Sequence, residues 1–260
     1  MSLKGALKKI RWSLAQRGVA GTLRMMVKQT IAWRDPESEP RQHPFDLEYG
    51  LDTGGLIGGG MLSIGHAHDV YITAYVGAPP SRFRASIHRW IDTPLLGQIE
   101  EYAFVDLGCG KGRAVLLASE MQFREVIGVE LNPDLARVAK ANVEIWNDRE
   151  RALCLIRIVC ADATDFDLPP GPCLIYLANP FGAPVMKRLL EKLVRRASTG
   201  GGVVDLVYQN PEQAEVFAEV PAIVRLWSDI IPISLDEAAA DRVYTATDRC
   251  NAYRLLPKYL

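Results

Sequence analysis

The sequence predicts an α/β fold in which helices cover both faces of a doubly wound, mostly parallel sheet. Between residues 101 and 208, short apolar runs of strand length alternate with longer segments of helical spacing, a pattern typical of parallel βαβ units. The first apolar run ends in a glycine-rich turn at Gly108, Gly110 and Gly112, and such turns bind ligands at the carboxyl edge of parallel sheets. With two further runs after residue 220, seven strands are expected behind a helical N-terminal extension.

Each element of this fold follows from a local pattern. Apolar runs predict strands at residues 102–107, 125–130, 153–159, 172–178 and 202–208, and then a neighbouring edge pair without a clear helix between them, at 222–231 and 242–256. Helical spacing predicts helices at residues 111–122, 133–147 and 183–197, and before them near 67–76 and 82–90. Pro133, preceded by the candidate cap Asn132, marks one helix start.

The chain is expected to divide near residue 100. Residues 1–100 would form a basic helical arm, a glycine-rich lid and cap helices, and residues 101–260 would form the core domain. The arm, residues 1–34, carries eight basic residues and no acidic ones, whereas the rest of the chain has 22 basic and 31 acidic residues. The interpretation we favour is that the arm packs on the acidic core through its apolar stripe. Contact with an anionic membrane surface or a partner stays open.

Composition excludes several classes of protein. Hydrophobic residues make up 48% of the chain and the formal net charge is −1, as in ordinary globular proteins. No apolar run approaches the length of a membrane span. The five cysteines are odd in number and contain no C-x-x-C pair, so a disulfide framework is not indicated and a reducing, cytoplasmic location is expected. The acidic balance outside the arm disfavours nucleic acid as a partner.

The glycine-rich turn has the features of a nucleoside site. Asp106 closes the strand before it, and Glu130 closes the following strand, where an acid can bind a ribose diol. The turn is not a dinucleotide fingerprint, because Arg113 stands where the third glycine of G-x-G-x-x-G belongs. A carboxylate at Asp106 would repel a pyrophosphate but attract an ammonium group.

This D-x-G-x-G-x-G pattern, with the strand-end acid Glu130, resembles the class I S-adenosylmethionine-dependent methyltransferases. The resemblance implies S-adenosylmethionine as the cofactor and an antiparallel last strand. It also implies the following contacts: Asp106 with the methionine ammonium, the backbone of Gly108 and Gly110 with the methionine portion, Gly112 with the next helix, Glu130 with the ribose hydroxyls, Leu131 with the adenine face, Asp162 with the adenine amino group, and Ala163 with a ring nitrogen.

A second motif suggests the site of chemistry. The fourth strand ends in Asn179, Pro180 and Phe181, which is similar to the N-P-P-Y tetrad of families that methylate amines or amides, although one proline is missing and phenylalanine replaces tyrosine. It also loosely resembles the non-SET histone-lysine methyltransferases, which place a loop with tyrosine and threonine before the core. That likeness makes Asn179 and Phe181 candidate catalytic residues. It adds Tyr49 as a third, and makes Thr53 and Asn179 candidate cofactor contacts.

The acceptor implied by this motif is a nitrogen, or less favourably an oxygen, on a small molecule or a protein side chain. Phe45–Gly55 mixes aromatic, acidic and hydroxyl residues and is predicted to be part of a lid. His66 and His68 could act as a base if this region folds over the site, but two histidines one residue apart diverge, and no metal is expected. An aminopropyltransferase-like enzyme and a non-catalytic cofactor-binding module are the alternatives.

Overall fold

The computed structural model describes residues 43–240 and 247–256, so the basic arm at residues 1–34 lies outside the described residues. A small antiparallel ladder joins β1 (Leu56–Ile57) to β2 (Tyr75–Val76). The large sheet is built from β3 (Ala103–Leu107), β4 (Glu125–Glu130), β5 (Leu155–Cys160), β6 (Cys173–Ala178), β7 (Val204–Gln209), β8 (Ile223–Pro232) and β9 (Thr247–Leu255).

The helices lie between and before these strands. They are α1 (Pro44–Tyr49), α2 (Pro80–Ile91), α3 (Arg113–Ser119), α4 (Pro133–Asp148), α5 (Ala183–Ser198), α6 (Ala214–Ala218) and α7 (Leu235–Ala240). Single 3₁₀ turns occur at Gly59–Met61, Asp69–Tyr71 and Ile99–Glu101. None of the helices in the described residues is both long and apolar enough to span a lipid bilayer.

The strand order confirms the predicted fold. The large sheet runs β5-β4-β3-β6-β7-β9-β8, and the first five of these strands pair in parallel. The last strand, β9, lies antiparallel between β7 and β8, as the resemblance implied. The chain winds outward from β3 in one direction and from β6 in the other, so the carboxyl ends of β3 and β6 form the crevice where open α/β sheets bind ligands.

Two apolar layers hold the helices against the sheet. On one face, Phe104 of β3 packs with Phe83 and Trp90 of α2. On the other, Val105 lies in the same apolar cluster as Met186 of α5. Neighbouring residues of one strand point to opposite faces of the sheet. Because helices cover both faces here, β3 is buried on both sides, and this explains why its sequence is largely apolar.

Two expectations from the sequence are wrong. The helix predicted near residues 67–76 is instead the 3₁₀ turn Asp69–Tyr71 followed by β2. The side chain of Asp69 accepts from the backbone N–H groups of Gly65 and His66 and so stabilises a tight turn. The second error is α7, a short helix between β8 and β9, where none was predicted. Glu237 of α7 accepts from the backbone N–H and the hydroxyl of Ser81, which fastens α7 to the start of α2.

Candidate functional site

A pocket opens at the carboxyl ends of β3, β4 and β6, as the strand order requires. Its floor comes from the core strands and the glycine-rich turn, and its roof from residues 56–76, which we call the cover segment. The cover segment contributes Leu62, His68, Ile72, Thr73 and Tyr75 to the lining.

The glycine-rich turn is packed too closely for side chains. Gly108 and Gly110 have φ of +83° and +55°. A Cβ added to Gly108 would lie 2.5 Å from the Cβ of Pro180, and one added to Gly110 would lie 2.1 Å from the ring of Tyr75. Gly112, at φ +90°, precedes α3, and a Cβ there would press on Ala139 of α4 at 3.3 Å. The first two glycines therefore let the backbone face the pocket, and the third brings two helices together.

Two buried acids face the pocket floor. Asp106 is 3% exposed, and no residue in the described part of the chain gives its carboxylate a hydrogen bond or an ion pair. Burial, and then the charge of Glu130, raise the pKa of Asp106 well above its usual range. An unneutralised acid in a cavity is suited to a cationic ligand group, because an ammonium would supply the missing charge.

The carboxylate of Glu130 is oriented by backbone groups. Its two oxygens accept from the N–H of Gly110 and of Asn132, each at 2.8 Å. Burial raises the pKa of Glu130, and these hydrogen bonds partly oppose that shift. Each oxygen keeps a further lone pair, so the fixed carboxylate can still accept from two neighbouring hydroxyls.

At the far end of the pocket, Leu131, Asp162 and Ala163 line the wall where an adenine was expected. One oxygen of Asp162 accepts from the backbone N–H and hydroxyl of Thr164, at 2.7 and 2.8 Å. Burial would raise the pKa of Asp162, but these bonds and the charge of His68 bring it below its usual range.

The other oxygen of Asp162 faces two histidines of the cover segment. It lies 2.6 Å from Nδ1 of His68 and 3.7 Å from Nε2 of His66. The expectation that these histidines diverge is wrong, because the turn at Asp69 bends both rings toward the end of β5. Sequence spacing missed the third member of this group, which comes from a distant strand.

The segment after β6 adopts an unusual conformation. Asn179 has φ +49°, a left-handed value that asparagine tolerates, and its side-chain oxygen accepts from the hydroxyl of Tyr208 at 3.2 Å. The amide therefore turns toward β7, and Asn179 is not among the residues that line the pocket, whereas Pro180 and Phe181 are. Thr73 of the cover segment donates from its hydroxyl to the carbonyl of Asn179 at 2.5 Å and from its N–H to that of Pro180 at 3.2 Å.

The structure does not bring the two candidates from the predicted lid into the pocket. Tyr49 packs edge-on against Phe45 and Trp146, at ring distances of 5.1 and 5.0 Å. Thr53 is fully buried and accepts from Nε of Arg113 at 2.7 Å. The predicted lid Phe45–Gly55 thus packs beside α3 and α4, because its aromatic residues pack on Trp146, and the cover segment that follows roofs the pocket.

Arg113 has a structural role that sequence reasoning missed. Its place in the motif argues against a dinucleotide site, and the structure shows in addition that it is buried to 1% exposure. Its guanidinium bonds Thr53 and lies 3.7 Å from the carboxylate of Asp46. This arginine therefore fastens the segment before the core to the glycine-rich turn. The sequence carried one signal of this role: a basic residue at the start of a helix is electrostatically unfavourable and so indicates an acidic partner nearby.

Cys109 lies inside the glycine-rich turn and is buried. Burial, followed by the charges of Asp106 and Glu130, raises the pKa of its thiol well above the usual range. These surroundings disfavour the thiolate form of Cys109.

Comparisons with known proteins agree with this geometry. Residues 104–201 match a family model described as a methyltransferase domain. The ribosomal protein L11 methyltransferase of Neisseria meningitidis is 29% identical over 155 residues, covering 58% of this chain and 45% of that protein. The one from Trichlorobacter lovleyi is 26% identical over 160 residues, covering 62% and 46%. The chain thus spans less than half the length of these relatives.

Among solved structures, an RNA methyltransferase from Salinibacter ruber in complex with S-adenosyl-L-homocysteine aligns with a TM-score of 0.43 at 14% identity, over 71% of this chain and 97% of that one. The family match, in contrast, covers the strands that carry Asp106 and Glu130. With the strand order and the glycine-rich turn, it identifies residues 104–201 as a methyltransferase domain of the class I type, a family that uses S-adenosylmethionine as its methyl donor.

Proposed function

We propose that this protein transfers the methyl group of S-adenosylmethionine to a nitrogen atom of a small molecule or a protein side chain. When bound, the cofactor supplies an electrophilic methyl carbon on a sulfonium leaving group. The observation that carries the nitrogen assignment is the pair of backbone carbonyls at Asn179 and Pro180, which lie at the end of β6 beside the glycine-rich turn.

The pocket chemistry supports one orientation of the cofactor. Asp106 would pair with the methionine ammonium, and the backbone of Gly108 and Gly110 would contact the methionine portion. Glu130 would accept from the ribose hydroxyls, where charge-assisted bonds contribute roughly 1.5–3 kcal/mol each. Leu131 and Ala163 would contact adenine. Both oxygens of Asp162 already face protein groups, so an adenine amino group would share the oxygen next to His68.

A nitrogen acceptor suits the groups at the end of β6. An amine N–H needs hydrogen-bond acceptors that orient it, and two carbonyl oxygens offer that arrangement. Both oxygens now accept from Thr73, so an incoming amine would replace this threonine or bind beside it. Phe181, which is 7% exposed, would exclude water from the reacting atoms.

An oxygen acceptor would need a general base, and the described pocket residues offer none at the end of β6. His68 sits at the end of β5, three strand spacings away, or roughly 14 Å. Tyr176 donates its hydroxyl to Gln209, and Tyr75 donates its own to the carbonyl of Thr53. Asp106 and Glu130 are assigned to the cofactor. A neutral amine needs no such base, because its extra proton can leave to solvent after transfer.

The relatives bear on the size of the acceptor. The curated proteins that this chain matches are named for methylating a ribosomal protein, which favours a protein side chain over a free metabolite. The match leaves out more than half of each relative. The acceptor of this chain therefore needs its own experiment.

The first experiment measures binding of S-adenosylmethionine and S-adenosylhomocysteine by calorimetry. Binding by the wild type and its loss in Glu130→Ala are the expected results. If neither ligand binds the wild type, the proposal is overturned.

The second experiment tests the acceptor atom. The protein is incubated with methyl-labelled S-adenosylmethionine and either amine-containing small molecules or a protein extract. A label that survives mild base and is recovered as an N-methyl amine after acid hydrolysis is expected, since methyl ethers also survive base. Label released as methanol would identify a methyl ester and reject the nitrogen assignment. Asn179→Gly keeps the left-handed backbone and removes the amide, so retained transfer in this variant means that the carbonyls, not the amide, orient the acceptor.

A further inference from the structure

We propose that His66, His68 and Asp162 form a binding site for a divalent transition-metal ion, with Zn²⁺ as the best match to its ligands. The ion would join the cover segment to the end of β5, at the rim of the pocket. This inference goes beyond the proposed methyl transfer and does not depend on it.

The donor set is the first argument. One nitrogen from each histidine and one oxygen of Asp162 lie within 4.8 Å of one another. Two imidazoles and one carboxylate are a common set of zinc ligands and leave a fourth position for water. The site is also held by distant parts of the chain, because the histidines belong to the cover segment and the acid follows a core strand.

The second argument is an unsatisfied contact. Nδ1 of His68 and one oxygen of Asp162 are 2.6 Å apart, yet both atoms are buried without a hydrogen-bond partner among the described residues. The two atoms lie at ion-pair distance from each other, and no other described group forms a hydrogen bond with either of them. A cation shared by the nitrogen and the oxygen would satisfy a lone pair on each, after a small separation of the two atoms.

Neighbouring groups orient the ligands. The second oxygen of Asp162 is held by Thr164, which fixes the carboxylate. Asp69 accepts from the backbone N–H of Gly65 and of His66 and so holds the turn that carries both histidines. Ligands that are anchored in this way bind metal more tightly, and loss of such support typically reduces affinity 10–100-fold.

His66 is expected to be the weakest of the three ligands. Its Nδ1 accepts from the backbone N–H of His68 at 3.2 Å, so the proton of the neutral ring is on Nε2, the atom that faces Asp162. Ligation through Nε2 requires that proton to move to Nδ1, which breaks the bond to the backbone. This ligand therefore adds less to affinity than His68 or Asp162.

The test is a cobalt titration of the full-length protein, freed of chelatable metal and of any histidine tag. Co²⁺ should produce visible ligand-field bands at one ion per chain, and Zn²⁺ should displace it. His68→Ala and Asp162→Asn should abolish these bands, whereas His66→Ala should weaken binding by roughly tenfold. His88→Ala, which changes an exposed histidine of α2, is the matched control and should bind as the wild type does.

Either of two outcomes would overturn the site: no cobalt bands in the wild type, or unchanged bands in His68→Ala. Circular dichroism and thermal melting show that His66→Ala and His68→Ala are folded. The two proposals can fail separately. Binding of S-adenosylhomocysteine without binding of metal would reject only the metal site. Binding of metal without binding of S-adenosylhomocysteine would reject only methyl transfer.

Discussion

The floor and the roof of the pocket are built on different physical principles. The floor consists of strand ends and the glycine-rich turn, so Asp106 and Glu130 take their places from local backbone geometry. The roof is the cover segment, which has little regular structure and is held by contacts to distant residues, such as Thr73 with the carbonyl of Asn179 and His68 with Asp162.

Because of this difference, we expect the floor to be more rigid than the cover segment. The floor lies on β3, β4 and β6, whose residues are almost all buried, and its two acids are themselves buried at the ends of these strands. The cover segment rests on a small apolar cluster formed by Leu62, Tyr75 and Leu135 and on a few hydrogen bonds. Such sparsely bonded segments open at lower free energy than a core sheet, which suits a roof that must admit ligands.

The largest effect is expected at Arg113, which fastens the segment before the core to the glycine-rich turn of the floor. Arg113→Met would leave the carboxylate of Asp46, which is 2% exposed, without its cation. Removing one partner of a buried ion pair typically destabilises a protein by about 3–5 kcal/mol. Denaturant unfolding monitored by circular dichroism measures this loss.

The control for Arg113 is the double variant with Asp46→Asn, which removes the uncompensated charge and should recover part of the stability. A single variant as stable as the wild type would mean that the segment before the core is not fastened through this arginine.

The next effect concerns the floor alone. Glu130→Gln is expected to weaken binding of S-adenosylhomocysteine by about 100-fold, because charge-assisted bonds to the ribose are lost and the new amide opposes the N–H groups of Gly110 and Asn132. Calorimetry provides the dissociation constants. Glu125→Gln, at the opposite end of the same strand, is the matched control. Equal weakening in both variants would show that the effect is not local to the pocket.

Sequence reasoning succeeded for the floor and failed for the roof for the same reason. The positions of Asp106 and Glu130 follow from the alternation of strand and turn, which is local information. The meeting of His68 with Asp162 depends on how a turn of irregular backbone docks on the sheet, and no short-range pattern encodes that. The same limit explains the missed 3₁₀ turn Asp69–Tyr71, because the carboxylate of Asp69 accepts from the preceding N–H groups of Gly65 and His66 and stabilises a turn in place of a helix.

A smaller effect links pH to the floor. Burial raises the pKa of Asp106, so the carboxyl is protonated over a wider pH range in the free protein, while an ammonium ligand favours the ionised form. Affinity for S-adenosylhomocysteine should therefore rise as pH increases through that raised pKa. Asp106→Asn should weaken binding by roughly tenfold and flatten this dependence, apart from the part contributed by Glu130. Calorimetry across a pH series measures both changes.

Asp106→Asn, which should weaken ligand binding, should increase the stability of the ligand-free protein. A carboxyl whose pKa is higher in the folded than in the unfolded state stabilises the fold at low pH, and this contribution is lost as pH rises through the folded pKa. Asp106→Asn removes the cost of ionising this buried acid, so the ligand-free variant should melt at a higher temperature than the wild type at pH values above the raised pKa. A lower melting temperature would contradict the uncompensated state of this acid.

The smallest effect is expected at Tyr49, which lies in neither the floor nor the roof. Tyr49→Phe should change affinity for S-adenosylhomocysteine and methyl transfer by less than about twofold, since the ring contacts with Phe45 and Trp146 remain. Tyr49→Ala should lower the melting temperature, because Arg151 also packs over this ring. The affinity for S-adenosylhomocysteine should not change. If Tyr49→Phe instead lost methyl transfer at unchanged stability, the hydroxyl would have to reach the reacting atoms. The predicted lid, rather than the cover segment alone, would then close over the pocket during the reaction.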